Sequence, residues 1–132
     1  MPTGPSAVEG LRSNRNLWES REPPAYDYIL QRSSCECLPE SLVPIRVTVH
    51  EGQIQSAVNV DSGALVSTEA QHVLSMDALF NLIEEAFEQD AFRVSVNYDL
   101  DYGYPSDIFI DYQSRMVDDQ FAFTVRDLSP ID

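Results

Sequence analysis

The residues best placed to do chemistry in this chain lie in NYDLDYGYPSDIFIDY, residues 97–112. Asp99 and Asp101 precede a Gly103-Tyr104-Pro105 corner, Asp107 and Asp111 follow it, and Asp118-Asp119 lies on the next loop. Hard carboxylate oxygens around a turn are the ligands calcium takes. The spacing fits an EF-hand poorly. Counting Asp99 as position one puts Gly103 at five instead of six, and Ile110 where a bidentate Glu belongs. Turn chemistry is the simpler reading: Gly103 takes a left-handed conformation, Pro105 enters an edge strand, and the aspartates are solvated or cap backbone amides. Among the aromatics, Phe109 and Tyr112 suit cross-strand packing. Tyr102 and Tyr104, at the corner itself, are expected to be exposed for contact.

The two cysteines form Cys35-Glu36-Cys37. Two thiols are half of a zinc site, and the positions of His50 and His72 give no reason to expect them to complete it. A C-x-C pair can close a small, strained disulfide. Glu36 and the negative field raise both thiol pKa values, which works against a reactive thiolate. No G-x-S-x-G is present, and neither histidine has a local setting that marks a base. With so many carboxylates, an acid pair suited to hydrolysis carries almost no specificity.

The 132 residues include twenty-two acids, eight arginines and no lysine, for a net charge of −14. Such a surface repels phosphate backbones and anionic lipid headgroups, so nucleic acid is not an expected partner. Without lysine there is neither a Schiff base nor a Walker-type phosphate loop. No run is long and apolar enough to insert in a membrane as a helix. The hydrophobic share, 43%, supports one core in one domain over 9–132, after a Pro/Gly-rich lead-in over 1–8.

Periodicity supplies the elements that must position these residues. A short helix over Val8–Ser20 is anchored by Leu17 and Trp18 and stopped by Pro23 and Pro24. Strand alternation follows at 26–31, 45–50 and 54–60, with Glu51-Gly52-Gln53 as a hairpin turn. Residues 61–74 read as a polar loop. Ser75 then caps a second helix, whose Met76, Leu79, Phe80, Ile83, Ala86 and Phe87 form one stripe. Alternation returns at 92–98, 107–112 and 121–128. The order α-β-β-β-α-β-β-β implies an α+β fold, an antiparallel sheet with helices on one face. RVTV at 46–49 and RVSV at 93–96 echo each other, as a duplicated αβββ unit would.

NRNLWES (14–20), YDYILQRSSCEC (26–37), RVTVHEGQI (46–54), MDALFNLIEEAF (76–87), VNYDLDYGYPSDIFIDY (96–112) and DDQFAFTV (118–125) carry a resemblance. Through them the chain resembles the bacterial proteins grouped as domain of unknown function 6174, many of them exported or lipoprotein-anchored. Leu100 stands where that pattern expects Pro, which loosens the turn and leaves the fold intact. The resemblance implies export and a small α+β domain, and no activity. MPTGPSAVEG at the start lacks the charged and apolar regions of a signal peptide, so the residues alone leave a cytoplasmic location open.

Together these readings lead to a non-enzymatic, exported envelope or extracellular interaction domain with a protein partner. Its expected contact surface is Tyr102, Gly103, Tyr104 and Pro105 with Asp118 and Asp119. The alternative is a calcium-binding module using Asp99, Asp101, Asp107 and Asp111. A thiol–disulfide protein using Cys35 and Cys37 comes third.

Overall fold

The computed structural model describes residues 5–33, 42–70, 72–112 and 120–131. Its elements are α1 (Pro5–Arg21), β1 (Ala25–Ser33), β2 (Ile45–His50), β3 (Gln53–Asn59), β4 (Leu65–Val66), α2 (Met76–Glu88), β5 (Arg93–Tyr98), β6 (Pro105–Asp111) and β7 (Gln120–Pro130). This is the expected α+β order with one addition. The loop over 61–74 contributes β4, which pairs Leu65 and Val66 with Val58 and Ala57.

Helix α1 begins at Pro5, earlier than the expected Val8 and inside the stretch read as lead-in. Proline is tolerated there because the first-turn N–H groups have no helical partner. Leu11 and Trp18, two turns apart on one face, are the buried anchors. Helix α2 follows its stripe. The Ser75 hydroxyl accepts from the Ala78 N–H at 3.1 Å, and Met76, Leu79, Phe80, Ile83 and Ala86 are buried. Between β2 and β3, Glu51 and Gly52 both have positive φ, 50° and 79°, the geometry of a two-residue hairpin turn.

All strand pairs are antiparallel, in the order β4-β3-β2-β1-β7-β6-β5. Register places Tyr26, Tyr28 and Leu30 beside Val49, Val47 and Ile45 on one face. Ile108 pairs with Phe123, and Leu30 with Val125, on that same face. Both helices cover it, forming one core. The opposite face is more polar, as in the Arg46–Asp27 ion pair at 2.9 Å. Both αβββ halves run across the sheet in the same internal order, β3-β2-β1 and β7-β6-β5. The echo between 46–49 and 93–96 falls on β2 and β5, the second strand of one half and the first of the other, so it does not mark equivalent strands.

Arg15 ties the helices together. Its guanidinium reaches Asp77 at 3.2 Å, Glu84 at 3.5 Å and Glu19 at 3.7 Å, and donates to the Asn81 side chain at 3.1 Å. It also lies over the Phe80 ring, 5.4 Å from the centroid.

Candidate functional site

The acidic-aromatic corner links β5 to β6. Asp99 closes it at both ends, its N–H donating to the Tyr104 carbonyl at 2.8 Å and its own carbonyl accepting from Gly103 at 2.9 Å. The Asp99 carboxylate accepts from the backbone N–H groups of Asp101, at 3.0 Å, and Tyr102, at 2.8 Å. This is an Asx turn, which uses the carboxylate to satisfy amides that lack a ladder partner. Gly103 supplies φ +88°, a conformation that a side chain rarely adopts.

The corner faces inward. Gly103, Tyr104 and Pro105 are buried, whereas Asp101 and Leu100 are exposed and Tyr102 is half-buried. Helix α1 covers it. Trp18 packs edge-on against Tyr26, Tyr104 and Tyr102, with ring centroids 5.3, 6.0 and 6.3 Å apart. Arg21 donates to the Asp101 carbonyl at 3.0 Å. Tyr104 was expected as an exposed contact and is instead 6% exposed. Its phenol pKa is pushed up to about 12, first by burial and then by nearby Asp99. Gly103 and Pro105 are corrected with it. Their place beneath α1 comes from long-range packing, which the turn residues do not encode.

The four aspartates are not gathered. Asp99 and Asp101 sit on the corner, Asp107 stands opposite Asn97 and Thr124, and Asp111 lies four residues further along β6, opposite Arg93 and Gln120. Among the described residues no three His, Cys, Asp or Glu side chains are grouped to hold a metal ion. Cys35, Cys37, Asp118 and Asp119 lie outside the described residues.

What the sequence reading missed lies next to the corner. Strand β5 ends the sheet, and a groove of about 340 Å³ runs between it and α1. Ala7, Gly10 and Asn14 form the helix wall and Val94, Val96 and Tyr98 the strand wall. Exposed Phe92 and Leu100 flank the strand at its two ends. The run 92–98 is legible as a strand, yet its alternation carries no sign of which side lacks a neighbour.

Among the described residues, two helices and a seven-stranded antiparallel sheet define a small α+β domain with β5 at one end of the sheet. The chain belongs to a family of unknown function (DUF6174), whose model matches residues 10–130. No curated protein and no solved structure matches it.

Proposed function

We propose that this protein is a non-enzymatic, exported interaction domain that engages a protein partner through the open edge of β5 and the exposed rim of the corner, Leu100 to Tyr102. One observation carries the reading. Among the described residues β5 presents six residues in a row at one end of the sheet, whereas at the other end the two-residue β4 covers Ala57 and Val58 of β3. An edge of that length, without a neighbouring strand among the described residues, offers backbone donors and acceptors to another chain. The rim adds Leu100, 94% exposed, beside the half-buried Tyr102 ring. Export rests on the resemblance to exported proteins.

Photo-crosslinking in producing cells tests this reading. A crosslinkable residue is placed at Ser95 or Leu100, and at exposed Thr68 as a control. The expected result is a discrete protein adduct from the first two positions and none from Thr68. Equal labelling at all three, or turnover of a substrate abolished by single substitutions at the corner, would remove the reading.

A further inference from the structure

The β5 edge lacks most of the devices that keep sheet edges from pairing. Short strands, proline, lysine and bulges are the usual protections. Arg93–Tyr98 contains neither proline nor lysine, and its one register shift falls at the far end, between Asn97 and Tyr98.

The adjoining groove is shaped for side chains. Alternate residues of a strand point to the same face, so a chain laid along β5 sends every second side chain toward α1. Gly10 leaves room there, since a β-carbon on it would meet nothing within 4 Å. About 340 Å³ is at the low end of ligand-site volumes, which suits aliphatic side chains better than a bulky cofactor.

Charge selects the occupant. Exposed Asp107 stands one strand in, opposite Asn97, and Asp99 and exposed Asp101 lie just past the strand's end. A second copy of the chain carries the same −14 and is repelled, whereas a basic segment is attracted.

We propose that β5 and the α1–β5 groove bind an extended, basic segment of a partner protein as an eighth strand of the seven-stranded sheet, with aliphatic side chains at alternate positions entering the groove. This rests on the interaction-domain reading above and names the partner chemistry for that surface. Backbone pairing supplies the affinity and the alternate pockets the selectivity.

The test is fluorescence anisotropy with a labelled Arg-Val repeat hexapeptide on the intact chain. Binding is expected to be lost with a Glu-Val repeat, with an Arg-Ser repeat, and when alternate amides of the Arg-Val peptide are N-methylated. Gly10→Leu, which fills the groove and strengthens a helix interior, is expected to weaken binding by about tenfold or more while the thermal melt holds or rises. Equal binding of the Arg-Ser repeat, or no effect of Gly10→Leu, would leave only general charge attraction and overturn the proposal. Concentration-dependent self-association abolished by Gly10→Leu would assign the edge to a second copy and overturn it too. Crosslinking at Ser95 together with no Arg-Val binding would sink this inference and leave the interaction-domain reading standing.

Discussion

Gly103 lies so close to the backbone of Asn14 that a β-carbon on it would overlap the Asn14 carbonyl oxygen. The same β-carbon would stand 3.0 Å from the Leu17 β-carbon and 3.1 Å from the Trp18 nitrogen. The corner of one hairpin is thereby seated on α1. A feature that resembles a contact loop in the sequence is the socket in which α1 rests.

Gly103→Ala therefore meets two penalties, a left-handed backbone and an overlap with helix backbone that cannot swing away. We expect it to lower stability by about 2–4 kcal/mol. Gly63→Ala is the control. Its φ of +77° is similar but nothing lies within 4 Å, so about 1 kcal/mol is expected. Urea denaturation of both variants separates contact from conformation, and equal losses would mean that α1 is not seated on the corner.

Trp18 is the chain's one tryptophan and is 2% exposed, so its fluorescence reports on the socket. Trp18→Ala should cost about 3–5 kcal/mol. Tyr104→Leu should change the emission maximum in the folded state, because that ring packs edge-on against the indole. Unchanged emission would separate the two rings.

Asp99 acts through its carboxylate oxygen as an acceptor for two backbone amides. Asp99→Ala should cost about 1–2 kcal/mol, and Asp99→Asn, which keeps an acceptor oxygen, should recover most of it. Melts in EDTA and in millimolar calcium should superimpose. A calcium-dependent rise lost in both variants would make the corner a metal site.

Alkaline pH should unfold the protein. Burial raises the pKa of Tyr98 and Tyr104 to about 12 and that of Tyr26 and Tyr28 further still, from an ordinary value of 10.0. Above pH about 10 the unfolded chain releases phenolic protons that the folded chain keeps, so stability falls as pH rises. It should be fully present below pH about 10 and decline as pH climbs toward about 12. Urea midpoints across this range, with phenolate absorbance, check the sign. A flat midpoint would place these phenols in water.

Arg15→Ala removes three carboxylate contacts, but Asp77, Glu84 and Glu19 are all more than half exposed. We expect a loss of about 1 kcal/mol, part of it from stacking on Phe80. Arg15→Lys should restore little, since the planar fork is what spans several partners. Thermal melts compare the two.

The sequence by itself determined most of the local elements, β4 and the first turn of α1 excepted, because they are written in short-range periodicity. Ser75 and the stripe from Met76 to Ala86 dictate α2, and Glu51-Gly52 between alternating runs dictates the β2–β3 hairpin. Alternation likewise places Tyr26, Tyr28 and Leu30 on one side of β1. Tertiary structure alone decided that β1 pairs with β7, bringing Leu30 beside Val125, and hence that β5 is left at the end. It also decided that Gly103 and Tyr104 face α1. Neighbour choice among strands depends on closing long loops and on which apolar faces meet, quantities that no residue window contains. The Asx turn at Asp99 could be read from its residues, whereas its direction, inward beneath Trp18, could not.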